Sequence, residues 1–170
     1  MELITERLIL RTVEQRDVKE VARMWDFERG PIPEEEAGRV LERMAENHRK
    51  NRPGRIYHLC LGVAEKSAPE TIIGWCGLDG TSGDKLHIFY SIEPEHRSRG
   101  YATEAARALL NYAFQDAGAA FVNGGCYQEN QASYRVMEKA GMLPAGSEEN
   151  GDPLFYLDRE TYLKKQELTQ

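Results

Sequence analysis

Apolar residues recur at two different spacings along the chain, and each switch between them marks an element. Leu3, Leu8, Ile9 and Leu10 crowd the segment from Leu3 to Arg11, which predicts a first strand. Val18, Val21, Ala22 and Trp25 follow at helical spacing, with Asp17 placed to cap them, until "RGPIP" (Arg29 to Pro33) interrupts. Ala37, Val40, Leu41 and Met44 give one apolar face to a second helix from Glu34 to about Lys50, which ends before the turn-prone "NRPG". Three strand-like runs come next, Ile56 to Ala64, Thr71 to Leu78 and Leu86 to Ile92. "KSAPE" and "DGTSGD" join them as hairpin turns, predicting an antiparallel centre to a sheet.

Pro94 stops the third run. Ala102, Ala106, Leu109, Leu110, Ala113 and Phe114 then return to helical spacing as far as Gly118, a C-cap residue. Ala119 to Tyr127 reads as a strand, and Asn130 caps a helix through Val136, Met137 and Ala140 to Gly141. Short strands near Met142 to Ala145 and Leu154 to Asp158 complete the order β, α, α, β, β, β, α, β, α, β, β. No linker, repeat or low-complexity tract divides the 170 residues, so one domain is expected.

Composition narrows the class. With 41% hydrophobic and 29% charged residues the chain reads as globular, and no apolar run approaches the roughly 20 residues of a bilayer span. Cys60, Cys76 and Cys126 are odd in number and form neither a disulfide framework nor a metal-ligand spacing, which fits a reducing cytoplasm. The net charge of −6 argues against nucleic acid, whose phosphates need a basic face, and suits a cationic partner.

Against that acidic background, "EHRSRGYATEA" (Glu95 to Ala105) collects two arginines and a glycine between a strand and a helix. A helix N-terminus there points unpaired amides and the positive end of its dipole into one small volume, an arrangement that binds phosphate. Gly100 removes a side chain where a diphosphate would touch the main chain, and Arg97 and Arg99 add charge. Neither GxxxxGK[ST] nor GxGxxG occurs between a strand and a helix, so a different phosphate ligand is required.

Arg97, Gly100 and Ala102 match [QR]xxGx[GA], the coenzyme signature of the GNAT superfamily of acyl-CoA-dependent N-acetyltransferases, which the chain resembles. "GYATEA", "TERLILR" (Thr5 to Arg11) and "NQASYRVMEKAGM" (Asn130 to Met142) stand in the order of its RimJ/RimL-like branch. The resemblance implies an α/β (α+β) GNAT fold over residues 1–170. Its sheet would be mixed and mostly antiparallel, with about seven strands and helices on both faces. The fourth and fifth strands would splay to admit pantetheine. It further implies that backbone amides of Arg97, Ser98, Arg99, Gly100, Tyr101 and Ala102 hold the diphosphate of acetyl-CoA. Ile92 would pair with pantetheine, Asn130 would bond its arm, and Arg135 would approach a coenzyme phosphate. Ser98 departs from the usual glycine but keeps its backbone amide.

Acetyl transfer needs a neutral amine, an oxyanion donor and a route for protons. His87 falls where many GNAT relatives carry a strand glutamate that serves as general base. Alternation sets His87, Phe89, Ser91 and Glu93 on one face of the strand and Leu86, Ile88, Tyr90 and Ile92 on the other. An ordinary imidazole, near 6.5, suits an α-amine of about 8 better than a lysine of about 10.4. Glu93 is the alternative base. Met137 stands where many relatives have the tyrosine that protonates the departing thiolate, and Ser133 becomes the candidate donor, ahead of Tyr134. Cys126 lies near the reacting end, but direct transfer needs no enzyme nucleophile.

The loops "ERGPIPEEE" and "GSEENGDP" flank the expected acceptor cleft with Glu34, Glu35, Glu36, Glu148, Glu149 and Asp152, charge that would steer a cationic amine. Trp25 and Trp75 are candidates for its walls or for the core. The expected activity is metal-free acetyl transfer from acetyl-CoA to a primary amine, foremost a protein or peptide N-terminal α-amine. A polyamine or aminoglycoside acceptor, or a coenzyme-binding module without catalysis, are the alternatives. A homodimer is compatible with the chain.

Overall fold

The hydrophobic runs become eight strands and five α-helices in a computed structural model that describes residues 1–24, 30–52, 54–82 and 85–168. Where the spacing predicts one opening strand, the chain makes two. β1 (Glu2–Ile4) and β2 (Leu8–Arg11) pair antiparallel, because Thr5 closes a tight turn with Leu8: its Oγ1 accepts from Leu8 N at 2.9 Å and its own N–H donates to Leu8 O at 3.0 Å. After α1 (Val18–Met24) and α2 (Glu34–Lys50), the strands β3 (His58–Glu65), β4 (Ala68–Ser82) and β5 (Lys85–Ile92) form the expected antiparallel centre. There follow α3 (Tyr101–Asn111), β6 (Phe121–Gly125), α4 (Gln131–Ala140), β7 (Leu143–Ser147), β8 (Pro153–Asp158) and α5 (Arg159–Glu167). The sheet order is β1-β2-β3-β4-β5-β6-β8-β7, and β5–β6 is the parallel pair. The α/β class holds with eight strands instead of about seven. α5 was not predicted, since Tyr162 is its one buried residue and no apolar periodicity announces it.

Alternation along β3 and β4 buries both faces of the sheet. Leu59, Leu61, Val63 and Leu78 join Leu109, Leu110 and Phe114 beneath α3, while Cys60, Ala64, Ile72 and Trp75 meet Val21, Val40, Leu41 and Met44 of α1 and α2. Each fully buried leucine contributes about 2 kcal/mol of transfer free energy, so the paired half of the sheet is a stiff platform. Glu34, Glu35 and Glu36 occupy the first turn of α2, with His48, Arg49 and Lys50 in its last, both complementary to the helix dipole. Arg11 and Asp17, buried at 7% and 1% exposure, make a two-pronged ion pair at 2.7 and 2.8 Å beneath the start of α1. No helix among the described residues is long and apolar enough to cross a membrane. Trp25, Glu28 and Arg29 lie outside the described residues.

Candidate active site

The two edges of β5 are unequal. Its β4 edge is paired from Gly74↔Ile92 to Ser82↔Lys85, but its β6 edge is paired only from Lys85↔Phe121 to His87↔Asn123. Beyond His87 the strands part, since Gly124 and Gly125 of β6 continue against Phe155 and Leu154 of β8. Glu93 donates to Ile73 O across the closed edge at 2.8 Å, so alternation turns the backbone polar groups of Ile92 and Tyr90 toward the open one.

Two hollows meet along this opening. One, of about 360 Å³, is lined by His87, Tyr90, Cys126, Asn130, Ser133 and Asp152 among others. The second, of about 460 Å³, shares Tyr90, Asn130 and Ser133 and runs past Ile92 to Arg97, Ser98, Gly100, Tyr101, Ala102 and Arg135.

At the second hollow's end, Gly100 is the N-cap of α3, with φ +82° and no side-chain cap bond. The first intrahelical bond goes from Glu104 N to Gly100 O, which leaves the amides of Tyr101, Ala102 and Thr103 without helical partners. Glycine is required for its left-handed backbone, and a Cβ would also sit 3.3 Å from Arg7 Nη2. Ser98 is left-handed as well, at φ +61°, so its departure from glycine carries a conformational cost. Arg97 turns inward and donates from Nε to Ile92 O at 2.7 Å, taking up a carbonyl of the open edge. Arg99 lines neither hollow and has Nη1 3.5 Å from Glu65 Oε1, whereas the exposed Arg135 lines the second.

At the other end, His87 is half-buried with Nδ1 3.1 Å from Asn123 Oδ1. An amide oxygen only accepts, so the neutral ring keeps its proton on Nδ1 and Nε2 is the basic nitrogen. Register sets His58, Asp79, His87 and Asn123 side by side across four strands, with His58 Nδ1 bonded to Asp79 Oδ1. His58 also stacks on Phe89 at 5.8 Å, so the row is fixed from both sides.

Ser133 meets a residue that alternation sets on the opposite face of β5 from His87. Tyr90 Oη is 2.9 Å from Ser133 Oγ and donates to Ser133 O at 3.1 Å. Burial pushes the Tyr90 phenol up to about 12 despite the opposing hydrogen bond from Ser133, and it stays protonated. Asn130 Oδ1 accepts from Ser133 N at 3.0 Å, holding that serine at the first turn of α4. Burial, then the charge of Asp152, raises the Cys126 thiol, and Ser133 only partly opposes them, which keeps the sulfur a poor nucleophile.

The remaining predicted residues are not gathered here. Glu93 is bound in an ion pair with Arg23 and has His96 Nδ1 at 3.7 Å, outside both hollows. Tyr134 packs edge-on to Phe155 at 4.9 Å, and Trp75, 5% exposed, donates Nε1 to Met24 O at 3.1 Å in the core. Of the acidic loop residues, Glu148 and Asp152 line the first hollow, whereas Glu34 to Glu36 belong to α2. Tyr90 and Asn123 were missed. A phenol in an apolar strand needs a buried partner, and that was the one signal the sequence offered for Tyr90.

The fold that carries these hollows has relatives among solved acetyltransferase structures. SpeG spermidine N-acetyltransferase from Vibrio cholerae matches with a TM-score of 0.74 at 19% identity, over 94% of this chain and 98% of that one. The ribosomal-protein α-N-acetyltransferase RimL, solved with coenzyme A, matches at 0.78 and 13% identity, over 95% and 99%. In sequence, the uncharacterized YkkB of Bacillus subtilis (strain 168) is 30% identical over 151 residues, 82% of this chain and 84% of YkkB. The family model described as acetyltransferase (GNAT) domain matches residues 7–143, and the chain therefore belongs to the GNAT acetyltransferase family.

Proposed function

We propose that this acetyltransferase lays acetyl-CoA along the open edge of β5 and transfers the acetyl group to the α-amine of a protein or peptide N-terminus. The observation that carries the reading is the continuity of the two hollows, from the free amides of Tyr101 and Ala102 to His87. The diphosphate rests on the amides of residues 97–102, with Arg99 and Arg135 adding charge from the rim. Pantetheine pairs as an added strand with the backbone groups of Tyr90 and Ile92, which β6 leaves unmatched. Because Ile92 O already accepts from Arg97, its amide is the group left for the coenzyme.

His87 Nε2 takes a proton from the incoming ammonium, and the freed nitrogen attacks the thioester carbonyl. The tetrahedral intermediate collapses by breaking its C–S bond; the Tyr90–Ser133 hydroxyl pair supplies a proton to the departing thiolate and regains one from the nitrogen, which sheds its second proton as the amide forms. Attack is direct, with no acyl-enzyme and no metal in the scheme. Glu148 and Asp152 draw the cationic acceptor to the mouth, where the exposed Tyr127 ring offers a surface for the peptide that follows the amine. An imidazole base favours an α-amine over more basic polyamines, and the open groove admits a chain end.

Release of coenzyme A thiol from acetyl-CoA is the test, with peptides bearing free N-termini, the same peptides N-acetylated, and spermidine. The expected result is release with free peptides, none with blocked ones and little with spermidine. Release with spermidine alone would move the acceptor to polyamines. Coenzyme uptake without release for any amine would leave a binding module.

A further inference from the structure

We propose that Arg7 is a positioning residue for the coenzyme, holding the diphosphate loop in shape from behind; the inference rests on the coenzyme reading above. Two motifs far apart in sequence meet in this one device. Arg7 Nη1 donates to Arg99 O at 2.9 Å across 92 residues, and its guanidinium lies 4.9 Å over the Tyr101 ring. The same side chain grips Glu104 in the first turn of α3, with Nε 2.8 Å and Nη2 2.7 Å from Oε2. The Arg7 backbone N–H and Thr5 Oγ1 add bonds to Glu104 Oε1 at 2.7 and 2.6 Å.

Arg7 does not line either hollow of the groove. It faces a separate hollow between the β1–β2 hairpin and α3, so its effect on a ligand must pass through the main chain of residues 99–101. That main chain has something to lose. Two left-handed residues, Ser98 and Gly100, aim its amides, and a loop released from Arg7 would have to recover this arrangement at the moment of binding.

Charge gives a second, independent reason. Glu104 stands in the helix turn that is to receive an anion, where a bare carboxylate would oppose it. Burial alone would raise the Glu104 carboxyl; the hydrogen bonds from Thr5 and Arg7 override it and hold the group below the ordinary carboxylate range. The carboxylate is thus ionised, and Arg7 is what neutralises it.

Steady-state kinetics with two donors test the inference, since S-acetylpantetheine carries the same thioester without the diphosphate. Arg7→Ala is expected to lower kcat/KM for acetyl-CoA about tenfold, through KM with kcat held, and to leave kcat/KM for S-acetylpantetheine unchanged. Adding Glu104→Gln to Arg7→Ala removes the uncovered charge and should recover part of the loss. Arg7→Lys, which keeps the charge but not the fork, should fall between wild type and Arg7→Ala. Equal losses with both donors, or no loss with acetyl-CoA in a wild-type background that binds coenzyme A, would overturn the role of Arg7. Wild-type protein that takes up no coenzyme A by calorimetry would instead overturn the coenzyme reading beneath it.

Discussion

The two edges of β5 show how one strand serves stability and chemistry at once. On its β4 edge the ladder is closed and packing is tight enough that a Cβ on Gly77 would stand 1.9 Å from Leu59 O and 2.4 Å from Phe89 Cζ. On its β6 edge pairing stops at His87, and the space beyond holds hydroxyls, an imidazole and unmatched backbone groups. The closed edge fixes where side chains stand, and the open edge is where the proposed chemistry takes place. Substitutions on the two edges should therefore separate into losses of stability and losses of turnover.

The largest effect is expected on the open side. His87→Ala should lower kcat/KM by about 10²- to 10³-fold, the share usual for a positioned base, while shifting the melting temperature little. Gly77→Ala on the closed side should do the reverse, destabilising the fold by about 3 kcal/mol, which a melting curve reads as a drop of roughly 6–12 °C. Ser133→Ala and Tyr90→Phe should each slow turnover about tenfold, since a thiolate is a tolerable leaving group. With its phenol raised to about 12, Tyr90 remains a proton donor through neutral and mildly alkaline pH. The pH–rate profile should accordingly show no descending limb from Tyr90 until that region. The smallest effect belongs to Ser98→Gly, which relieves a left-handed serine and should stabilise the protein by about 1 kcal/mol in denaturant melts.

Local signals made much of this legible. The apolar face of α2, the Asn130 cap and the Gly141 terminus depend on neighbours within a turn, and each stands where spacing put it. Gly100 likewise marks the start of α3. What escaped depends on partners distant in sequence. Alternation correctly separates Tyr90 from His87, but it cannot tell that β6 leaves at Gly124 and opens the core-side face to Ser133. Glu93 shares the face of His87, yet Arg23 of α1 claims it. The break between β1 and β2 turns on the hydroxyl of Thr5, whose second bond reaches 99 residues away to Glu104. α5 escaped for the opposite reason, having almost no buried face to leave a pattern.

A crystal structure of the protein with coenzyme A tests the central claim most directly. The account predicts pantetheine between β5 and β6, bonded to the main chain of Tyr90 and Ile92, its sulfur beside Ser133 and its diphosphate on the amides of residues 97–102. Coenzyme bound elsewhere on the sheet, or a gap between those strands that stays closed to it at saturating concentration, would contradict the account.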